Sequence, residues 1–191
     1  MKTRVGVIIL AAGESSRLGK PKQLVPFRGR SLIRIVVEAA LHSACRPVVV
    51  VLGSNADRIR PEISREARVV DNPDWNEGMA SSIRRGVEAI EVEADAIILM
   101  LCDQPLIDAE ILNRFAEKAG AGLVAAEYEG TVGVPALFGR EFFGELRTLR
   151  GKEGAKKILL ANEKRVARIA CPEAAVDIDT AADVQRLQTF E

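Results

Sequence analysis

The sequence predicts an α/β fold of three layers, α/β/α, with a mostly parallel mixed sheet between two helical layers. Three observations carry that expectation. Short apolar, β-branched runs alternate with segments of helical period along the chain. Several of those runs are continuous rather than alternating, as in strands buried on both faces. The first run leads directly into a stretch rich in small residues and cations, from Leu10 to Lys22. Open α/β sheets bind ligands at such strand ends.

Taken in order, Val5–Leu10 is the first strand. The Met-Lys-Thr-Arg ahead of it and the apolar run together have a superficial likeness to a secretion signal. The run is too short for one, and no small-residue cleavage site follows. Ser31 is placed to cap a helix reaching about Ser43, with Leu32, Ile35, Val36, Ala39 and Ala40 on one face. Strands at Pro47–Leu52 and Arg68–Val70 precede a helix from Met79 to Ile90. A strand at Ala96–Leu101 precedes a helix from Asp108 to Lys118. Strands at Leu123–Ala126 and Val166–Ala170 follow. Val134–Phe138 comes so soon after Tyr128-Glu129-Gly130 that it is expected to run antiparallel. The last helix spans Thr180 to Phe190, with Thr180 and Asp183 spaced as a capping box. No repeat, low-complexity tract or linker interrupts the pattern, so residues 1–191 are expected to form a single domain.

Composition narrows the function. The chain has 27 Lys and Arg against 27 Asp and Glu, which argues against a nucleic-acid coat or an anionic membrane partner. No apolar stretch is long enough to span a bilayer. Cys45, Cys102 and Cys171 are widely spaced and odd in number, which suits a reducing cytoplasm. The balance of charge is local, however. Residues 1–35 hold eight Lys or Arg and one acid, Glu14, so positive charge gathers around the Gly-rich stretch.

That stretch fits neither G-x-x-x-x-G-K-[ST] nor G-x-G-x-x-G. Its chemistry still suits a triphosphate. Ala11, Ala12 and Gly13 allow close backbone approach, and Arg17, Lys20 and Lys22 supply fixed cations. After the strand ending at Val70, Gly78, Ser81 and Ser82 open a helix. They suit either a plain helix start or hydrogen bonding to a polar heterocycle. After Leu101, Asp103 is placed to hold a hard cation near a phosphate, or to serve a turn before Pro105. Asp177 and Asp179 lie on one face of an extended segment. Asp179 is expected to join Asp103 at a metal, and Asp177 is left open. Cys102 is expected to be a buried small hydrophobe, and His42, the single histidine, to end a helix. With one histidine, a triad or a zinc centre has little support.

These residues resemble a known group. Leu10-Ala-Ala-Gly-x-Ser-x-Arg-x-Gly-x-Pro-Lys22 is similar to the signature of nucleotidyltransferases with a glycosyltransferase-A-like fold, a Rossmann-like architecture of the nucleotide-diphospho-sugar transferase type. Asn72-Pro-x-Trp-x-x-Gly-Met-x-x-Ser-Ile83, Cys102-Asp-Gln-Pro105, Gly133-x-Pro135 and Asp177-Ile-Asp-Thr180 resemble the molybdenum cofactor cytidylyltransferases and their MobA-like NTP transferase relatives. The chain departs at Val134, where relatives often carry His, and at Lys152, where they often carry Asp.

The resemblance implies transfer of CMP from CTP to molybdenum-bound molybdopterin with release of pyrophosphate. It implies Lys22 at the α-phosphate, Arg17 at the β- and γ-phosphates, and backbone from Ala12 to Ser16, including Glu14 and Ser15, around them. Asp103 and Asp179 would hold Mg²⁺, and Leu10, Ala11, Gly78, Ser81 and Ser82 would lie along the base and ribose. Ala12, where guanylyl-transferring relatives show Gly, favours cytosine. Lys152 would either meet the acceptor phosphate or stay solvated. A molybdenum hydroxylase would be the client. Alternatives are the same chemistry with GTP or with a sugar or polyol phosphate, and a non-catalytic chaperone that loads the cofactor.

Overall fold

The computed structural model describes residues 3–190. In chain order its regular elements are β1 (Val5–Ala11), β2 (Pro26–Phe27), β3 (Arg30–Ser31), α1 (Leu32–His42), β4 (Val48–Leu52), α2 (Ala56–Ile59), β5 (Arg68–Asp71), α3 (Met79–Ile90), β6 (Ala96–Leu101), α4 (Ala109–Glu117), β7 (Leu123–Tyr128), β8 (Thr131–Gly139), α5 (Phe143–Thr148), α6 (Lys156–Ala161), β9 (Ala167–Ala170) and α7 (Ala181–Leu187). Seven strands form one sheet in the order β5-β4-β1-β6-β8-β7-β9, and β2 and β3 form a separate hairpin. Within the sheet only β8 is reversed, antiparallel to both β6 and β7. The other pairings are parallel.

Sequence explains the layers. β1 is buried along its whole length, and alternate side chains enter opposite cores. Val7 and Ile9 pack with α1 residues Val36 and Val37 and α4 residues Leu112 and Phe115. Ile8 and Leu10 pack with Ile83, Val87 and Ile90 of α3 and with residues of α5 and α6. Helices therefore cover both faces, as expected from continuous apolar strands. Each fully buried aliphatic side chain contributes about 1.5–3 kcal/mol of transfer free energy, which is how a strand as short as β4, buried along its length, is held between its neighbours β5 and β1. A third, smaller cluster joins Val25, Phe27 and Leu32 to Ile178 and Leu187. It holds the C-terminal segment against the β2–β3 hairpin.

The Thr180–Asp183 capping box is present, with both reciprocal contacts. The helix it starts ends at Leu187 and passes into a tighter turn over 188–190. Ser31 occupies the cap position of α1, but its hydroxyl donates to Glu62 Oε2 at 2.9 Å rather than accepting from the helix. His42 closes α1 as expected. No helix among the described residues is long and apolar enough to cross a membrane.

Candidate functional site

A cleft of about 290 Å³ opens at the carboxyl ends of β1 and β6. Its lining comes from segments 10–14, 22–23, 75–82 and 101–103. A larger groove of about 480 Å³ runs between α1 and 61–66, lined by His42 and Glu62 among others, away from this one.

The loop after β1 is held from beneath. Gln23 is fully buried, and its Nε2 donates to the carbonyls of Ala11 (2.9 Å) and Gly13 (3.0 Å). The Lys22 N–H donates to Ser15 Oγ at 3.1 Å. Among the described residues, no N–H from Gly13 to Ser16 donates to a backbone acceptor. Those donors are available to an anion.

Three charged side chains that lie far apart in sequence meet at this point. Lys22 Nζ donates to Asp103 Oδ2 at 2.5 Å and to Asp179 Oδ1 at 2.7 Å. Arg17 reaches Asp179 Oδ2 at 3.3 Å with its own side chain mostly in solvent. Burial works against charge on Lys22, but Asp103 and Asp179 outweigh it and hold the ammonium above its ordinary range. Burial pushes the Asp103 carboxyl up, with Lys22 pulling the other way. Asp103 Oδ1 is buried and has no hydrogen-bond partner among the described residues, an arrangement that is costly unless a ligand completes it. Cys102 is buried at the edge of the cleft, and burial and then Asp103 push its thiol up to about 12, which favours the protonated form.

Asp103 and Asp179 are the residues that could hold a divalent cation. The hard oxygens of two carboxylates and the orphaned Oδ1 suit one. Among the described residues no cluster of three or more His, Cys, Asp or Glu is arranged to hold a metal. A cation here would draw its remaining ligands from phosphate oxygens and water, as Mg²⁺ commonly does. Asp177 is exposed and raises the Asp103 carboxyl through space.

The opposite wall is built around Asn72 and Trp75. Buried Asn72 donates to Ser81 Oγ (2.8 Å) and Ser82 Oγ (3.0 Å), and its Oδ1 accepts from the Asp74 N–H at 3.1 Å. Trp75 lies across Gly53, where an added Cβ would fall 2.5 Å from the Trp75 Cβ. Gly78 adopts φ +127°, and a Cβ there would fall 2.4 Å from the Gly151 carbonyl oxygen. Only glycine fits both constraints. Segment 149–152 thereby packs directly on the start of α3, and the Ala80 N–H donates to the Gly151 carbonyl at 3.1 Å.

Of the residues singled out in the sequence, Leu10, Ala12, Gly13, Glu14, Lys22, Gly78, Ser82 and Asp103 line the cleft. Ser15, Ser16, Arg17 and Asp179 are not among its lining residues. Arg17 and Asp179 reach it through their ion pairs with each other and with Lys22. Ala11 and Ser81 are turned away. The Ala11 side chain is packed in the core on the α1 side, and the Ser81 hydroxyl is spent on Asn72 and the Gly78 carbonyl. Sequence reasoning gave no site role to Gln23, Trp75, Asn76, Met79 or Leu101, which also line the cleft. Gln23 stood next to Lys22, but nothing in the sequence signals a side chain that spans back to two carbonyls.

A family profile described as MobA-like NTP transferase domain matches residues 7–166. The nicotine blue oxidoreductase of Paenarthrobacter nicotinovorans is 32% identical over 193 residues, covering 94% of each chain. The molybdenum cofactor cytidylyltransferase of Escherichia coli K12 is 23% identical over 181 residues, covering 94% of this chain and 93% of that one. Among solved structures, Rv0371c from Mycobacterium tuberculosis H37Rv superposes with a TM-score of 0.88 at 32% identity over 98% of both chains. A structure described as its complex with manganese gives 0.85 at 29% identity, over 99% of this chain and 100% of that one.

Proposed function

The chain belongs to the MobA-like NTP transferase family, and we propose that it transfers CMP from CTP to a molybdopterin-type acceptor with release of pyrophosphate. The observation that carries this reading is the meeting of Lys22, Asp103 and Asp179 beside a loop with free backbone donors. Likeness to the Escherichia coli cytidylyltransferase supports the choice of donor and acceptor. The methyl of Ala12 in the cleft favours cytosine by the resemblance already drawn. Three buried free cysteines suit a reducing cytoplasm.

In this reading a terminal phosphate oxygen of the acceptor forms a bond to the α-phosphorus of CTP. The bond from that phosphorus to the bridging oxygen breaks, and pyrophosphate leaves with the electron pair. The acceptor is already an anion, so the protein supplies position and positive charge rather than a strong base. Lys22 turns its ammonium to the α-phosphate, where negative charge develops. Arg17, long and solvated, closes on the departing phosphates, and N–H groups of Gly13 to Ser16 cradle them. Gly78 and Ser82 border the base and ribose. Asp103 and Asp179 would hold Mg²⁺, and a manganese complex of a relative supports a divalent cation in this fold. When bound, that ion supplies charge neutralisation on the triphosphate. A molybdenum hydroxylase is the fitting client.

Pyrophosphate release tests the reading, measured with CTP, GTP, ATP and UTP against molybdopterin, a sugar phosphate and a polyol phosphate. Release only with CTP and the molybdopterin acceptor is expected. Release with GTP alone would overturn the cytidylyl assignment. A second reading has one observation in its favour: the relative named nicotine blue oxidoreductase spans the same residues. It requires an oxidation or reduction without pyrophosphate release, and the missing G-x-G-x-x-G counts against a dinucleotide cofactor.

A further inference from the structure

We infer that Lys22 is an exchangeable counter-ion: without nucleotide its ammonium fills the seat between Asp103 and Asp179, and an arriving triphosphate draws it off, so that nucleotide and divalent cation bind cooperatively through this one side chain. The inference rests on reading the cleft as a nucleotide site.

The geometry puts the ammonium where a metal would have to go. One oxygen of each carboxylate is already taken, at 2.5 and 2.7 Å. Arg17 occupies the other Asp179 oxygen at 3.3 Å. Of the four carboxylate oxygens, only Asp103 Oδ1 is left buried and without a partner among the described residues. Two carboxylates carrying one ammonium offer an incoming cation half the net charge of the bare pair. Like charges at contact distance also repel, most of all where water is scarce. Lys22 and Asp103 side chains are 17% and 7% exposed, so the seat is such a place.

The same residue is built to let go. Its backbone is pinned by the bond to Ser15 Oγ and by the tethers of neighbouring Gln23. Motion is confined to a flexible four-carbon stem. Lys22 lines one cleft with Gly13 and Glu14, on the loop whose N–H groups suit phosphate. Phosphate oxygens arriving there give the ammonium new acceptors and free both carboxylates. Coupling of this kind is reciprocal, so the cation must tighten nucleotide binding as much as nucleotide tightens the cation.

The test titrates Mn²⁺ alone into the full chain, by calorimetry and by the electron paramagnetic resonance signal of free Mn²⁺. It compares wild type with Lys22→Met, Lys22→Gln and Lys20→Met at fixed ionic strength. Circular dichroism shows which variants fold, and the two Lys22 substitutions guard against loss of either. Without nucleotide, the Lys22 variants should bind Mn²⁺ at least about tenfold more tightly than wild type, within the usual span of coupling factors. Lys20→Met removes one exposed charge from the same loop and should leave Mn²⁺ affinity in the absence of nucleotide at the wild-type value. A methylene-bridged, non-hydrolysable CTP analogue should tighten Mn²⁺ binding more in wild type than in the Lys22 variants. Equal Mn²⁺ affinity in wild type and the Lys22 variants overturns the inference. An equal gain in Lys20→Met also overturns it, since net charge would then be the cause. Failure of the analogue to bind wild type even with Mn²⁺ present strikes the nucleotide reading instead, and leaves the Mn²⁺ comparison of wild type with the Lys22 variants to decide this one.

Discussion

Glu77 and Gly151, 74 residues apart in sequence, are joined by a hydrogen bond in which the Gly151 N–H donates to Glu77 Oε1 at 3.0 Å. The same carboxylate accepts from Arg84 Nη1 at 2.9 Å and Arg84 Nη2 at 2.6 Å. Arg84 Nη1 also donates to the Leu149 carbonyl at 2.8 Å. One ion pair therefore fastens segment 149–151 to the start of α3, next to Gly78 and Met79 of the cleft.

Glu77→Gln should loosen that fastening, because a neutral acceptor makes weaker bonds than a carboxylate. Calorimetry should show CTP affinity falling several-fold while affinity for inorganic tripolyphosphate is kept, since the loop after β1 is untouched. Equal loss of both would refute this role. The hydrogen bonds from Arg84 and then from Gly151 lower the Glu77 carboxyl from its ordinary 4.5 to about 2. A lowered folded value means a contribution present in full above about pH 4.5 and lost as pH falls towards about 2. Acid denaturation of wild type should therefore be steeper in that window than that of Glu77→Gln.

Lys22→Ala and Asp103→Ala should each reduce pyrophosphate release about a hundredfold or more, the usual effect of removing a charged contact made in the transition state. Lys22→Ala also leaves buried Asp103 without its partner, at a cost of about 3–5 kcal/mol. Denaturant unfolding beside the assay separates the two effects. A variant with normal stability and near-normal rate would remove Lys22 from the chemistry.

Gly78→Ala should be damaging out of proportion to its size. It asks alanine to adopt φ +127° and places a Cβ against backbone at Gly151, which a rotamer change cannot relieve. A strain of about 1–3 kcal/mol is expected from the backbone conformation alone. Thermal melting should fall, and nucleotide affinity with it.

Thr180→Ala removes the hydroxyl that accepts from the Asp183 N–H at 3.3 Å. About 1 kcal/mol of stability should go with it. Asp183 Oδ2 also accepts from the N–H of Asp179 at 3.2 Å, so the box helps to aim Asp179 at Lys22. Turnover should therefore fall more than stability does. Unchanged turnover would show that Asp179 is aimed by other contacts.

Much of this was legible beforehand because strands buried on both faces write themselves as continuous apolar runs. β1, β4 and β6 lie where Val5–Leu10, Pro47–Leu52 and Ala96–Leu101 were expected, within a residue at each end. The reversed strand was found from the tightness of the turn at 128–130, although β8 proves longer at both ends than Val134–Phe138. Short elements escaped. The hairpin of β2 and β3 has two residues per strand, and α2, α5 and α6 have four to six residues each. Such pieces carry too little periodicity to signal, and packing rather than propensity sustains them. In the site, residues singled out by charge or by lack of a side chain, such as Lys22, Asp103 and Gly78, line one cleft. The side chains of Ala11 and Ser81 turn from the cleft because one residue of phase along a strand or helix moves a side chain from cleft to core.

The small apolar cluster of Val25, Phe27, Leu32, Ile178 and Leu187 has an effect out of keeping with its size. Val25 follows Lys22 by a single turn, and Ile178 immediately precedes Asp179. The spacing of the ammonium and its outer carboxylate is thus governed by greasy packing of the residues that flank them in sequence. Leu187→Ala, a truncation that typically costs about 2–5 kcal/mol, should let this corner come loose while the sheet stays intact. Heat would then inactivate the variant well before it unfolds, with catalytic half-life and ellipticity parting company on the same temperature ramp.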